Sequence, residues 1–226
     1  MRRFVVVEGL IGVGKTSLSR LLAEAWEARL VLEPSEHNPF LEPFYRDPAR
    51  YALPVQLFYL MSRWRQQTEI RQGDLFAEVV VSDYLFAKDR LFAEKTLSDE
   101  EMELYDRFGG IFDGIAPVPD LVVWLQAPTD VLLERIARRR APGEEAITAA
   151  YLEDLEARYQ KLFAGWASCP VLSIDNTHLD YVEDDTARSE VRARIEAALV
   201  ERPTDPTAPG SVLDREAQPM LFGAGS

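Results

Sequence analysis

The amino-acid sequence predicts an α/β fold, a parallel sheet with helices on both of its faces. Short apolar runs of β-favouring residues alternate with longer segments of helical periodicity over most of the chain. This alternation is typical of parallel strands, because each helix returns the chain to the edge of the sheet where the previous strand began. A glycine-rich turn joins the first strand to the first helix, so a binding site is expected at that edge.

The predicted sheet has five strands, each a short run of mostly Val, Leu and Ile. The runs are Phe4–Glu8, Leu30–Leu32, Val79–Val81, Leu121–Leu125 and Val171–Ile174. The third run is apolar at every position, as expected of a strand that is buried on both faces near the centre of the sheet.

Helical periodicity predicts six helices between and after these strands. They span Lys15–Ala28, Pro54–Gln72, Ser98–Phe108, Thr129–Arg140, Thr148–Trp166 and Ala187–Val200. Asp47 and Pro48 have the residue types of an N-cap and a first helical residue. Ser98 and Glu101 form a capping-box sequence, which predicts the start of the third helix.

This pattern ends near Arg202, so we expect one domain over residues 1–202 and a tail over residues 203–226. The tail contains four prolines and three glycines among small and charged residues, which predicts disorder. It nevertheless ends in Gln218–Phe222, with three large apolar residues. This string resembles the peptides with which bacterial replication proteins dock on the sliding clamp. Folding back onto the protein's own surface and no role at all are the alternatives.

The composition limits the classes of function. The 226 residues are 47% hydrophobic and 28% charged, as in an ordinary soluble protein. The formal net charge of −13 argues against general binding to nucleic acids or acidic membranes. Cys169 is the single cysteine, which excludes an intramolecular disulfide. No apolar run is long enough for a signal sequence or a membrane span, so we expect a cytoplasmic protein.

The glycine-rich turn has the sequence of a phosphate-binding P-loop, Gly-x-x-x-x-Gly-Lys-Thr from Gly9 to Thr16. Its glycines let backbone N–H groups close around a phosphate, and the following helix adds its positive N-terminal end. The lysine can reach the β- and γ-phosphates, and the threonine hydroxyl can ligate Mg²⁺. The predicted nucleotide-binding residues are Gly9, Leu10, Ile11, Gly12, Val13, Gly14, Lys15, Thr16 and Ser17.

Two carboxylates follow predicted strands, at the edge where ligands bind to parallel sheets. Asp83 follows the third strand and could hold Mg²⁺ beside the phosphates or accept a proton. Glu33 follows the second strand and could take a proton from an attacking hydroxyl. An aspartate that caps a turn and a solvated loop glutamate are the alternative interpretations.

Two further groups of polar residues are candidate ligand contacts. Gln56 and Arg63 lie two helical turns apart on one side of a predicted helix and could hydrogen-bond the edge of a planar heterocycle, or could simply form its wet face. Arg135 and Arg138–Arg140 precede the loop Ala141–Glu145. This cluster predicts a lid that closes over a triphosphate; the alternative is a basic helix end that complements the helix dipole.

Together these segments resemble the deoxyribonucleoside kinases, in particular the bacterial deoxyadenosine and deoxyguanosine kinases. The matching pieces are Gly9–Leu18, Glu33-Pro34, Asn38–Leu41, Phe44-Tyr45, Gln56–Phe58, Ser62-Arg63, Ser82–Phe86, Lys88–Arg90, Pro119-Asp120 and the arginine-rich lid with Glu144. The resemblance covers roughly residues 3–174. It implies a homodimer that uses ATP and Mg²⁺ to phosphorylate the 5′-hydroxyl of a deoxynucleoside, with a preference for purines and deoxycytidine as an alternative.

The resemblance also implies a role for each matching residue. Glu33 corresponds to the residue at the 5′-hydroxyl, and Asp83 to the acidic residue assigned to magnesium or to proton acceptance. We assign proton acceptance to Glu33 and magnesium to Asp83 with Thr16. The remaining assignments are Tyr45 and Glu144 at the 3′-hydroxyl, Gln56, Arg63 and Asp89 at the base, and Arg135 and Arg139 at the ATP phosphates.

The chain departs from the family at Tyr84, where many relatives carry an arginine that helps to hold the 5′-oxygen and the phosphate. Arg63, Arg90 and the lid arginines are the candidates to replace it.

Three other functions fit the sequence less well. A nucleoside-monophosphate kinase, such as a thymidylate-kinase-like enzyme, needs cations for the acceptor phosphate. The segment Glu33–Asp47 is instead acidic and aromatic, with Arg46 as its only strong cation. A regulatory GTPase needs an Asn-Lys-x-Asp sequence for guanine, and the chain has none. A binding-only module would not need the lid arginines.

Overall fold

The structure is a computed structural model that describes residues 3–34, 37–72, 78–112 and 116–200. The predicted tail, residues 203–226, lies outside the described residues, so its disorder and its docking peptide remain hypotheses.

Five parallel strands form the sheet, as the sequence predicts. They are β1 (Arg3–Gly9), β2 (Arg29–Val31), β3 (Val79–Ser82), β4 (Leu121–Gln126) and β5 (Val171–Asp175). Their order across the sheet is β2-β3-β1-β4-β5, and every neighbouring pair is parallel. The P-loop strand β1 is therefore central, with β3 directly beside it, as expected of the apolar third run.

Eight α-helices are described. They are α1 (Lys15–Ala25), α2 (Leu41–Arg46), α3 (Pro48–Gln72), α4 (Lys88–Thr96), α5 (Asp99–Phe112), α6 (Thr129–Arg139), α7 (Ala149–Ala164) and α8 (Asp185–Val200), with a 3-10 helix at Glu144–Ala146. Among these helices none combines the length and the hydropathy needed to cross a membrane.

Alternating side chains of β1 divide the core between the two faces of the sheet. Val5 and Val7 pack with residues of α1, α6, α7 and α8 in one cluster. Phe4 and Val6 point to the opposite face, where they pack in a cluster with Ile70 of α3. Since successive strand residues face opposite sides, this alternation places helices on both faces.

The sequence-based prediction missed two helices. Pro48 is confirmed as a first helical residue: it begins α3, which continues through Pro54, where the long helix was expected to start. An internal proline costs a helix about 3 kcal/mol, and here the flanking Ala52 and Val55 are buried against Phe44 of α2. Helix α2 is itself short and was not predicted.

Helix α4 was missed because its buried face is partly charged. Lys88 and Asp89 are buried alongside Leu91 and Ala93, so the apolar periodicity that predicts a helix is interrupted. In contrast, the capping box before α5 is confirmed. The backbone N–H of Ser98 donates to Glu101 Oε2 at 3.0 Å, and the N–H of Glu101 donates to Ser98 Oγ at 3.3 Å.

Candidate active site

The P-loop bends tightly between β1 and α1, and its glycines are required by geometry at two positions. Gly9 has a φ of 147°, and a Cβ there would lie 2.4 Å from the carbonyl oxygen of Leu125. Gly14 has a φ of 101°, and its Cβ would lie 2.4 Å from the hydroxyl oxygen of Tyr181. A side chain at either position would force the loop or its neighbour to move. Because both residues are glycine, the loop packs close to its neighbours and its backbone is not covered by a side chain there.

Lys15 begins α1 and folds back over the loop. Its Nζ donates to the carbonyl oxygens of Gly9 at 2.8 Å and Leu10 at 3.0 Å. Burial, and after it the nearby Lys88, lower the pKa of Lys15 to about 8 against the attraction of three carboxylates. The ammonium is thus held at the mouth of the phosphate-binding loop.

Thr16 and Asp83 meet beside this loop, as expected of a magnesium site. The Thr16 hydroxyl donates to Asp83 Oδ2 at 2.6 Å, and the backbone N–H of Glu33 donates to Oδ1 at 2.7 Å. Oxygen ligands of this kind suit Mg²⁺, which in nucleotide sites takes one or two protein oxygens with phosphate and water. The described residues contain no group of three or more metal-binding side chains, so such an ion would depend on the nucleotide for much of its shell.

Glu33 lies between two buried cations, Lys88 and Arg63. Lys88 Nζ lies 3.0 Å from its Oε1 and 3.1 Å from its Oε2, and Arg63 Nε donates to Oε1 at 3.1 Å. Burial raises the pKa of Glu33, but Lys88 and Arg63 outweigh it and hold that pKa well below its usual range. Glu33 is therefore an ionised carboxylate whose side chain stays 20% exposed, whereas those of Lys88 and Arg63 are 4% and 3% exposed.

The same arginine connects Glu33 to Asp89. The Arg63 guanidinium also forms an ion pair with Asp89, whose Oδ2 accepts a 2.8 Å hydrogen bond from the Tyr105 hydroxyl. The Tyr59 ring lies under the guanidinium, with its centroid 4.7 Å from Arg63 Cζ. An oriented guanidinium beside an aromatic ring can hydrogen-bond a planar heterocycle.

Gln56 lies on the same helix and contributes a buried amide. Its Nε2 donates to the Thr96 hydroxyl at 3.1 Å. Its buried Oε1 has no hydrogen-bond partner among the described residues. A buried acceptor without a partner is costly unless a ligand satisfies it, so this amide remains a candidate contact for the base.

Tyr84 does not take the place of the arginine that many relatives carry. It is fully buried, and its hydroxyl is hydrogen-bonded to Gln66 Oε1 and Gln67 Nε2, both at 2.9 Å, on α3. Arg90 is also directed elsewhere, since it pairs with Glu94 and Asp106. The cations that reach Glu33 are Arg63, which the sequence had offered as a candidate, and Lys88, which it had not.

A cleft of about 610 Å³ runs from the P-loop to the arginines of α6. Arg135 and Arg139 both line it, together with the segment 176–183 after β5. Arg135 donates to the carbonyl oxygens of Asn176 at 2.8 Å and Thr177 at 3.3 Å. Arg139 pairs with Glu144, to which its Nε donates at 3.1 Å. The predicted lid arginines therefore lie beside the phosphate-binding loop.

Tyr45 and Glu144, expected together at the 3′-hydroxyl, belong to segments that touch. Gly143 has a φ of 84° and packs on the Tyr45 ring, since a Cβ there would lie 2.7 Å from Cδ2. Burial raises the pKa of the Tyr45 hydroxyl, with smaller effects from Tyr151 and Glu144. Helix α2 and the 3-10 helix thus bring these two side chains to one place.

Sequence reasoning missed three residues that support the P-loop. Glu8 is fully buried and accepts from the N–H groups of Gly9 at 2.8 Å and Leu85 at 2.7 Å. Asn176 Nδ2 donates to the Tyr181 hydroxyl at 3.1 Å, which donates to the Gly14 carbonyl oxygen at 3.2 Å. A carboxylate at the end of an apolar strand is the one signal that could have identified Glu8.

A parallel sheet with a P-loop and a hydroxyl–carboxylate pair at its edge defines an α/β protein of the P-loop nucleotide-binding class. The chain belongs to the deoxynucleoside kinase family, whose family model matches residues 5–201. It is accordingly an enzyme that transfers phosphoryl groups.

Similar proteins agree with this assignment, and a solved structure shares the fold. The chain is 29% identical over 202 residues to a deoxyguanosine kinase of Bacillus subtilis, and the aligned region covers 87% of this chain and 98% of the relative. It is 28% identical over 205 residues to a deoxyadenosine/deoxycytidine kinase of the same organism, covering 86% and 92%. The structure of a deoxyadenosine kinase from M. mycoides with bound dATP has the same fold, with a TM-score of 0.72 at 19% identity over 86% of this chain and all of that one.

Proposed function

We propose that this enzyme transfers the γ-phosphoryl group of ATP to the 5′-hydroxyl of a purine deoxynucleoside in a nucleotide-salvage reaction. The observation that carries the proposal is the position of Glu33. Its carboxylate contacts Arg63, the candidate base-binding residue, while its backbone N–H contacts Asp83 beside the P-loop. An acceptor hydroxyl at Glu33 would therefore lie between the base-binding residues and the phosphate-binding loop.

At the acceptor, Glu33 is the residue that accepts the proton. As the 5′-oxygen forms its bond to the γ-phosphorus and the bond to the leaving ADP breaks, the hydroxyl proton passes to a nearby base. Glu33 is ionised and partly exposed, which supports this role. Tyr45 and Glu144 are proposed to bind the 3′-hydroxyl, since their segments touch and Glu144 pairs with Arg139, which lines the cleft.

At the donor, the P-loop residues 9–17 bind the phosphates of ATP, and Arg135 and Arg139 close over them from α6. Thr16 and Asp83 would hold Mg²⁺, and the neighbouring oxygens of the pair support that assignment. When bound, the ion neutralises charge that develops on the phosphoryl oxygens.

At the base, Arg63, Asp89 and Gln56 favour a heterocycle that carries amino and ring-nitrogen groups. A site built from buried polar groups rejects a base that leaves them unpaired. The names of the relatives, deoxyguanosine kinase and deoxyadenosine/deoxycytidine kinase, support purines first and deoxycytidine second.

We also propose a cytoplasmic homodimer. Large apolar side chains are exposed on α3 and α5, two helices that pack together, and they include Met61, Leu104 and Phe108. A second copy joined through helices, as the family resemblance implies, would cover such side chains.

The experiment that tests the function is a panel of the four deoxynucleosides and their monophosphates, each incubated with enzyme, ATP and Mg²⁺. We expect the deoxynucleosides to be converted to monophosphates, purines fastest. Conversion of monophosphates to diphosphates instead would contradict the proposal and favour a nucleoside-monophosphate kinase.

A further inference from the structure

Lys88 is a buried cation whose position is explained by neither the fold nor the roles assigned so far. Its side chain is 4% exposed, yet it is the first residue of α4. A cation at a helix N-terminus faces the positive end of the helix dipole, and a buried ammonium carries a desolvation penalty. Both effects oppose a lysine here, so the position must be stabilised by another contact.

That contact is the carboxylate of Glu33. Lys88 Nζ lies 3.0 Å from Oε1 and 3.1 Å from Oε2, so it spans both oxygens. Its other anionic neighbour, Glu8, lies farther away, at 4.0 Å, and is already hydrogen-bonded to two backbone N–H groups. Arg63 also contacts Glu33, but it is shared with Asp89. Of the two described cations that contact Glu33, Lys88 is therefore the one that is not also paired closely with another carboxylate.

We propose that Lys88 is a positioning residue that fixes the carboxylate of Glu33 toward the acceptor hydroxyl and supplies positive charge beside the reacting oxygen. The proposal rests on the proposed function, because it takes Glu33 as the group at the 5′-hydroxyl. With Tyr84 bonded to α3 and Arg90 to α5, Lys88 supplies a cation at the edge where many relatives have an arginine.

A double-mutant cycle between Lys88 and Glu33 tests this role. We expect Lys88→Met to lower kcat about 10²-fold, on the scale of losing an acid–base group, while KM for ATP changes less than about 3-fold. In the Glu33→Gln background the same substitution should lower kcat less than about 3-fold, because its target is already gone. Equal losses in both backgrounds would overturn the proposal, since they would show that Lys88 does not act through Glu33.

Lys88→Met leaves Glu33 with Arg63 as its one paired cation among the described residues and removes the ammonium beside Glu8, which lowers stability, so two further variants make the test independent of folding. Lys88→Gln keeps a hydrogen-bond donor without the charge, and we expect it to fold and to lose at least about 10-fold in kcat. Lys88→Arg should recover kcat to within about 10-fold of wild type. Folded Lys88→Gln with kcat within about 3-fold of wild type would overturn the proposal.

Lys95→Met is the matched control. Lys95 is also on α4 and pairs with Asp154, away from Glu33. It should keep kcat within about 2-fold of wild type. The proposed function is checked separately with the wild-type enzyme: if it phosphorylates no deoxynucleoside, that function fails. If it is active and folded Lys88→Gln matches it, only the role of Lys88 fails.

Discussion

The backbone N–H of Glu33 donates a 2.7 Å hydrogen bond to Oδ1 of Asp83. These residues follow β2 and β3, which are neighbouring strands, so their carboxyl ends meet at one edge of the sheet. The candidate proton acceptor and the candidate magnesium residue are therefore linked by a hydrogen bond from the main chain of Glu33 to the side chain of Asp83. Substitution of the Glu33 side chain leaves this bond in place, and substitution of Asp83 alters it.

This link leads to different expectations for two substitutions. Glu33→Gln and Asp83→Asn should each lower kcat about 10²-fold or more, since each removes a charged group at the reacting atoms. Only Asp83→Asn should recover activity as the Mg²⁺ concentration is raised, because this substitution weakens the magnesium site. Glu33→Gln instead changes the site of the acceptor hydroxyl. Initial rates over a magnesium titration measure this difference. Recovery of Glu33→Gln by magnesium would reverse the two assignments.

Lys15→Ala should abolish most phosphoryl transfer while the fold stays intact. The ammonium contacts only loop carbonyl oxygens and nearby charges, so its loss removes charge from the phosphate site rather than packing from the core. Loss of one preorganised donor costs about 10²–10³-fold in kcat. Steady-state kinetics and thermal unfolding measure the two quantities side by side. Near-normal turnover by a folded variant would contradict the P-loop assignment.

The pKa of Lys15 predicts proton uptake when ATP binds. Burial and Lys88 lower this pKa to about 8, so the ammonium of the free enzyme loses its proton as pH rises through that value. Bound phosphates favour the charged form and raise the pKa again. At pH 9 binding should therefore take up about 0.9 proton, and affinity should fall as pH rises above 8.

Titration calorimetry in buffers of different ionisation enthalpy measures this uptake. Lys15→Arg is the matched control, because an arginine stays charged at pH 9 and should show no uptake at this position. An ATP affinity that is constant between pH 7 and 9.5 in the wild type would argue against the lowered pKa.

The sheet could be predicted from the sequence, whereas the charge network could not. Buried strands such as Val79–Val81 are continuous apolar runs, so each strand can be recognised from its own residues alone. The contacts of Glu33 with Arg63 and Lys88 depend on how α3 and α4 approach the end of β2, which no local pattern encodes. The sequence matched Lys88 only within the piece Lys88–Arg90 and indicated no role for it, because its contact with Glu33 is not local.

Asp89 is expected to determine the preference for the base. Its Oδ1 pairs with Arg63 and holds the guanidinium in place, while its Oδ2 accepts from Tyr105, which orients the carboxylate. Asp89→Asn should lower kcat/KM for deoxyadenosine and deoxyguanosine by about 10–10²-fold, the scale of a lost charged hydrogen bond. Asp106→Asn is the matched control, because Asp106 also pairs with an arginine, Arg90, on α4. It should leave the order of the four deoxynucleosides unchanged. A wild-type enzyme that prefers thymidine would refute the assignment of this site to an amino-bearing base, whatever the variants do.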